Sequence, residues 1–439
     1  VSALDLITTV AVAALVLYLL YLAAFDRFNL VIAFRNVFRN VRRSTITILA
    51  IALGGAAVIV FGGFINDMYY GLRESTIRSQ LGHVQLYREG YGAYGLQDPE
   101  EYRLYDYERI VDVIENDPVL RDYVTAAIPV VEFSGLVSTG ETTRSFVARG
   151  VDLEKDRFLS SYDLTVDGTK LYEGDRGVVS MGYLLARSLE AVPGDLLMIL
   201  TSTRSVGLNV IDVEVGGTTR SFSEEYDRVY LKMPIEDAWS LLGEEYADKL
   251  IVMIRRTRDL PIVLERLIHL NESEDLGIEY REWEDLATFY RSVKQMYDGI
   301  FAFLKVVMSI MVVVFVSNTL FMAVMERVGE TGSVRTIGAR RRTVVANFLT
   351  EGILMGIIGG LVGIGLAWLV ALIVNHFGIP MPPPPGSSTG FTAILRYDAD
   401  AIPFFGFSFK LSVLTAFVAA VIPARRAISM SVVDALRHY

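Results

Sequence analysis

MERVGETGSVRTIGARRRTVVANFLTEG, residues 325–352, sets five arginines and three glutamates between two of the most apolar stretches of the chain. A membrane protein needs only a short polar turn at such a place. That much charge, held between two segments of bilayer length, marks a surface that something outside the lipid engages. The flanking segments run over residues 300–324 and 344–374, the second interrupted only by Asn347, Thr350 and Glu351. About 20 helical residues span a hydrocarbon core of about 30 Å, so each is predicted to cross.

Three further apolar runs have the same character: residues 3–25, 46–65 and 402–421, the last containing Lys410. Residues 3–25 have no basic stretch before them and no small-residue cleavage site after them. They read as an additional membrane helix rather than a signal peptide. Glycines recur at helical spacing, with Gly54 and Gly62 in one run and Gly356, Gly359, Gly360 and Gly363 in another. Gly356/Gly360 and Gly359/Gly363 are small-xxx-small pairs, which bring helices close together in lipid.

Composition agrees with membrane helices joined to a large soluble part: 52% of the 439 residues are hydrophobic, yet 21% are charged. There is no cysteine, which excludes disulfides and cysteine-based metal centres. His83, His269, His376 and His438 are scattered and form no metal-spacing motif. A net charge of −10 argues against a nucleic-acid partner. The arginines are segregated. Arg27, Arg35, Arg39, Arg42 and Arg43, then Arg327, Arg335, Arg340, Arg341 and Arg342, then Arg425, Arg426 and Arg437 make 13, against four acidic residues in the same three segments. The positive-inside rule places these segments in the cytoplasm and Val1 outside, with residues 67–297 and 376–401 facing outward.

Residues 67–297 alternate helix and strand signals. YERIVDVIENDPVLRDYV (107–124) has apolar residues at helical spacing. AAIPVVEFSGLVSTGETTRSFVARGVD (126–152) reads as a hairpin turning at Thr139-Gly140. RVYLKM, KLIVMIRR and GIEYREW read as strands, and PIEDAWSLLG and LPIVLERLIHL as helices. The result is an α+β domain. Its carboxylates are scattered like a solvated acidic surface, and its serines and histidines form no catalytic arrangement. The polar flanks 66–80 and 284–297 read either as helical stalks prolonging the membrane helices or as ordinary amphipathic connectors. MPPPPGSSTGF (381–391) joins stiff polyproline to flexible chain; it reads as a brace for the outer domain, a guard of a lateral opening or a spacer. Glu351 is expected to pair with an arginine such as Arg342, and Lys410 to snorkel outward.

Four stretches together resemble one family. FRNVFRNVRRSTITILAIALGG (34–55), GVVSMGYLLARSLEAVPGDLLMI (177–199), the segment from Asn318 to Ala367 and IPARRAISMSVVDALRHY (422–439) occur in the order found in the FtsX-like permease superfamily, the MacB and LolC–LolE type of ABC transporter permease. The third resembles the family pattern at Asn318, Thr319, Glu326, Arg327, Glu330, Gly332, Arg335, Gly338, Ala339 and Glu351. The tail departs from it, with Ser431-Val432-Val433 where an Asp-Pro is usual, and residues 1–25 are additional to the family's core.

The resemblance implies a polytopic α-helical membrane protein. It would have a four-helix FtsX-like core plus one additional N-terminal helix, with a large α+β periplasmic domain inserted between the first two core helices. The expected organisation is an extra helix (1–25), a cytoplasmic amphipathic helix (26–43), core helices at 44–66, 298–324, 344–375 and 402–422, a periplasmic domain with helical stalks (67–297), a coupling helix (325–343), a Pro-rich periplasmic loop (376–401) and a cytoplasmic tail (423–439). In this family the coupling helix docks on the ATPase. That role carries to Glu326, Arg327, Glu330, Arg335, Gly338 and Arg340. Headgroup anchoring explains the arginines of this stretch but not the glutamates, which an anionic leaflet repels.

Further expectations follow. Ile51, Val58, Phe61, Phe64, Val313 and Phe321 are candidates to line a substrate cleft, and Gly54, Gly62, Gly356, Gly360 and Gly363 to pack helices. No GxxxxGK[ST] occurs, so the chain is expected to be non-catalytic and to bind no cofactor itself, ATP and Mg belonging to a separate dimeric ATPase subunit. The other implied partners are a second permease copy or paralogue, a periplasmic lipoprotein carrier or adaptor, and membrane lipids. The expected location is the bacterial inner membrane. The expected function is ATP-driven extraction of lipoproteins or lipids from the outer leaflet. Export of drugs, toxins or peptides, and regulation of cell-wall hydrolases without transport, are the alternatives.

Overall fold

The computed structural model describes residues 3–39, 41–95, 97–203, 207–221, 223–325, 336, 338, 340–382 and 390–429. The helices used below are α1 (Ala3–Phe25), α2 (Arg27–Arg39), α3 (Val41–Thr76), α4 (Tyr107–Asn116), α5 (Leu153–Leu159), α6 (Tyr183–Leu189), α7 (Ile235–Leu242), α8 (Leu260–Ser273), α9 (Thr288–Met325), α10 (Arg341–Phe377) and α11 (Ile402–Ser429). The strands are β1 (Val84–Arg88), β2 (Val124–Ser138), β3 (Thr143–Val151), β4 (Leu164–Gly168), β5 (Val178–Gly182), β6 (Leu196–Thr203), β7 (Gly207–Arg220), β8 (Tyr230–Pro234), β9 (Lys249–Ile254) and β10 (Ile278–Glu282). They form two units. One holds Val1–Tyr69, Gln295–Pro380 and Thr392–Tyr439, the other Tyr70–Lys294 and Met381–Phe391.

The first unit is the membrane part. Among the described residues five helices are long and apolar enough to cross a bilayer. They fall in α1, α3, α9, α10 and α11. The molecule is a polytopic helical membrane protein, as its sequence predicts. Glycine organises its centre. In α10, Gly352 and Gly356 meet Ala420 and Ala416 of α11, while Gly359 and Gly363 meet Ile51 and Ala52 of α3. Each set repeats every four residues, so two small-residue ridges on one helix receive two neighbours. The amphipathic α2 buries Ala33 and Val37 and exposes Phe28, Val31, Phe34 and Phe38. Aromatic residues on one face and arginines on the same short helix suit a position in the lipid interface.

In the second unit ten strands form one mixed sheet. Its path is β10-β1-β9-β2-β3-β8-β5-β7-β4, with β6 paired to both β2 and β7. The β2–β3 hairpin turns at Thr139-Gly140, as predicted, and Gly140 takes the positive φ of +92° that such a turn demands. Two pairs are parallel, β3 with β8 and β5 with β7. The core divides into two main clusters. In one, Ile110 and Ile114 of α4 and Val263 and Leu267 of α8 cover Leu86 and Val252. In the other, Leu185 and Leu189 of α6 and Leu241 of α7 pack with Met181, Val213 and Leu231. α4 stops where Asp117-Pro118 removes the next donor, and the Asp117 carboxylate accepts the amides of Val119 and Leu120, both at 2.9 Å.

Candidate functional site

The coupling segment lies mostly outside the described residues. These exclude Glu326, Arg327, Glu330 and Arg335. Gly338 has a φ of +104°, open to glycine at little cost, and Arg340 caps α10 in extended conformation. Its carbonyl accepts the amide of Thr343 at 3.0 Å. The Gly338 conformation breaks the helical path just before α10, which suits a separate short segment ahead of the membrane helix. Glu351, about three turns into α10 from Arg341, is only 5% exposed.

The candidate cleft residues do not form one surface. Ile51 and Val58 are buried inside the chain, at 0% and 3% exposure. Ile51 packs with Val37, Met355 and Ala416, and Val58 with Phe407 and Leu411. Ile51 thus faces α10 and α11, while Val58 packs with α11 and with Met308 of α9. Phe61 turns the other way, its ring edge-on to Phe301 of α9 at 5.5 Å between centroids. Phe61, Phe64, Val313 and Phe321 are half-buried. The surface left open belongs to α9, where Phe303, Val306, Ile310, Met311 and Val314 are exposed. Among the described residues α9 meets α3 through Val312 against Gly54, Met308 against Val58, Phe301 against Phe61, and Tyr69 Oη donating to Asp298 Oδ1 at 2.5 Å. Gly62, the other glycine singled out in that run, faces Phe404 of α11.

A polar latch, not foreseen as such, ties residues 394–398 to the membrane unit. Residues 394–398 fold against α3 at Gly63–Asp67 and against the end of α10. Asp67 accepts from the Ile394 amide at 3.0 Å and from Arg396 Nε at 3.2 Å. Asn66 Nδ2 donates to Asp398 Oδ1 at 2.8 Å and to the Arg396 carbonyl at 3.1 Å. Asn375 of α10 makes a reciprocal pair with the Leu395 backbone at 2.7 and 3.0 Å. The sequence signal was available: Asn66-Asp67 directly follows an apolar run and Asn375 ends another, each polar where lipid gives way to water.

In the soluble unit α3 passes into a π-helical turn, Ile77–Leu81, before β1. Such turns widen the backbone and recur at functional positions. This one is held on all sides. Arg149 Nη1 donates to the Gln80 carbonyl at 3.1 Å, and Gln85 Nε2 to that of Leu81 at 2.8 Å. Gly82 follows with φ +66°, and a methyl group there would lie 2.1 Å from Ile251 Cγ2. Beside it runs a buried relay. The Ile254 amide donates to His83 Nδ1 at 3.1 Å, which leaves the ring proton on Nε2, 3.2 Å from Thr257 Oγ1. Thr257 donates in turn to Glu74 Oε1 at 3.1 Å, and Arg78 Nε donates to Glu74 Oε2 at 2.8 Å. Burial, helped by the charge of Arg78, pushes the His83 pKa down to about 4, so the ring is neutral in the fold. Burial raises the Glu74 pKa, but the bond and charge of Arg78 outweigh it and hold the carboxylate below its usual range.

Deeper in the same unit Lys232 Nζ donates to Asp156 Oδ2 at 2.8 Å and to Ser160, with Asp163 Oδ2 at 4.0 Å. These groups line a cavity of about 360 Å³ bounded by Leu171 and Tyr172. Burial pushes Asp163 up to about 6 in spite of Lys232. Among the described residues no three histidine or carboxylate side chains gather as a metal would need.

Comparison with known proteins joins the two units. Residues 44–270 match the family model for a MacB-like periplasmic core domain, and residues 302–432 the model for an FtsX-like permease C-terminal domain. The chain is similar to proteins named macrolide export ATP-binding/permease protein MacB. Over 67 residues it is 46% identical to that of Neisseria gonorrhoeae (strain ATCC 700825 / FA 1090), covering 15% of this chain and 10% of the relative. To that of Bdellovibrio bacteriovorus it is 26% identical over 272 residues, 60% of this chain and 39% of the relative. To that of Escherichia coli O6:K15:H31 it is 23% identical over 415 residues, 93% of this chain and 60% of the relative. The chain thus spans between a tenth and three fifths of the length of these relatives.

Proposed function

The chain belongs to the FtsX-like permease family of the MacB type, and from that premise we propose that it is the transmembrane subunit of an ATP-driven transporter that lifts lipidated cargo out of the membrane. An ATPase dimer docks on residues 326–340 from the cytoplasm of a bacterial cell, across its inner membrane. Each ATPase protomer needs one docking segment, so two permease chains, identical or paralogous, work together. ATP and Mg bind the ATPase. The chain moves rather than catalyses.

The observation that carries this reading is α9. It extends over 38 residues, about 57 Å at 1.5 Å per residue, well beyond what a bilayer requires. It also leaves Phe303, Val306, Ile310, Met311 and Val314 exposed. A long helix with few neighbours inside its own chain swings as a lever, and its apolar flank offers acyl chains a surface of their own kind. A second reading is export of a macrolide, the activity in the names of the relatives, which the same flank would accept.

The test is gentle purification of the full chain from its native membrane with a photo-crosslinker at Met311, followed by mass spectrometry. Acylated polypeptide crosslinked at Met311, together with a bound ATPase, is the expected result. Glu330→Lys and Arg335→Glu should each lower ATPase recovery about tenfold while insertion stays normal. Crosslinks free of acylated cargo, with macrolide-stimulated ATP hydrolysis, would move the assignment to drug export. ATPase recovery unchanged by both reversals would overturn the docking assignment.

A further inference from the structure

α1 lies outside the family's four-helix core, yet it is seated against that core. Val12 and Leu15 of α1 pack with Ile353 of α10 and Val413 of α11. Lys410 Nζ of α11 donates to Thr9 Oγ1 at 2.9 Å, which tethers the charge sideways rather than letting it snorkel outward as expected from the sequence. Toward the arginine-rich end the three helices part and leave a crevice of about 460 Å³. Leu15 and Tyr18 form one wall, Leu349 and Phe417 the other, and Arg341 and Arg342 stand at its mouth. Among the described residues no acidic side chain lines it.

We propose that this crevice binds one anionic phospholipid of the leaflet on the arginine side, with its phosphate on Arg341 and Arg342 and an acyl chain between α1 and the α10–α11 pair. Three features converge on that occupant. The walls are apolar, which suits a hydrocarbon chain and gives a soluble anion nothing. Both guanidinium groups are exposed, and among the described residues neither has an ion-pair partner. α10 begins at Arg341 and turns apolar from Val344, so both groups sit where lipid phosphates lie. A guanidinium grips a phosphate through paired hydrogen bonds, which a zwitterionic headgroup partly cancels with its own cation. Bound there, the lipid fills the gap between α1 and the core and holds the additional helix in place.

The experiment offers the full-length, delipidated protein equal amounts of phosphatidylglycerol and phosphatidylcholine with the same acyl chains, and counts retained lipid by native mass spectrometry. The wild type should keep phosphatidylglycerol in preference. The double variant Arg341→Gln/Arg342→Gln should lose at least about tenfold of that occupancy, on the scale expected for two arginines at a lipid surface. Ala346→Phe, which fills the crevice floor and keeps both arginines, should lower it as well. Arg425→Gln, which removes one arginine outside the crevice, should leave it unchanged. The proposal fails if the wild type keeps both lipids equally. It fails too if the double variant or Ala346→Phe retains the preference, or if Arg425→Gln abolishes it. Because the wild-type preference is itself decisive, the test survives a variant that does not fold.

Discussion

Gly363 and Gly365 stand two residues apart on α10 and face different surroundings. A methyl group on Gly363 would lie 2.8 Å from the Ala52 carbonyl oxygen, which is backbone and cannot move aside; one on Gly365 would meet nothing within 4 Å. Gly363→Ala should therefore destabilise the membrane unit by about 1–3 kcal/mol, the usual cost of overpacking, while Gly365→Ala stays near neutral. Thermal unfolding midpoints of the two variants in one detergent decide it, and equal midpoints would refute the packing described. Spacing alone brings out Gly356, Gly360 and Gly363 as packing residues. It does not tell which neighbour each meets, because a helix ridge carries no address. For the same reason apolar character could not separate Ile51 and Val58, which neighbouring helices bury, from Phe303 and Met311, which remain open.

At the scale of elements the latch over residues 394–398 ties α3 at Gly63–Asp67 to the end of α10. Two amides in succession depend on side chains of those helices, Ile394 on Asp67 and Leu395 on Asn375, while Arg396 reaches the Gly63 carbonyl at 3.2 Å. Asp67→Ala removes an acceptor and the partner of Arg396 Nε together. Hydrogen exchange of a peptide covering 392–398 should quicken by about tenfold or more, the loss of a charge-assisted bond amounting to about 1.5–3 kcal/mol. Unchanged exchange would mean that the segment is held by packing alone. The elements themselves were largely legible. Apolar runs gave the membrane helices, and β-rich stretches broken by turn residues gave most of the sheet. The polar residues of the latch stand out at the ends of apolar runs, but its pairings and those of the His83–Thr257–Glu74 relay were not legible, because the partners lie 183 to 332 residues apart in sequence for the longest links, and no local pattern couples them.

For the whole molecule, acid pH sets two opposing demands on the soluble unit. A carboxyl group whose pKa rises on folding costs stability above that pKa and returns it as pH falls. Asp163 and Asp248, both pushed up to about 6 by burial, therefore stabilise the unit as pH drops from above 6 toward 4. His83, pushed down to about 4, acts in the opposite sense, because the unfolded ring takes up its proton first, below about 6.5. The two effects cover the same window and offset each other. Asp163→Asn takes away one acid-side gain, so its unfolding free energy relative to the wild type should fall between pH 7 and pH 4.5, by about 1–3 kcal/mol. Tryptophan fluorescence of Trp239 and Trp283, with Trp368 replaced by Phe, reads this; a difference independent of pH would count against a titrating Asp163. The Lys410–Thr9 bond has a consequence of another kind. Its two residues are 401 positions apart. At ribosomal rates of about 5–20 residues per second, α1 waits about 20–80 s in the lipid before its partner is made. A lysine at the middle of α11 costs about 2.5–3.5 kcal/mol to insert alone. α11 thus enters the membrane most readily beside a helix already in place, and a nascent chain that has lost α1 along the way is held back at the insertion of α11.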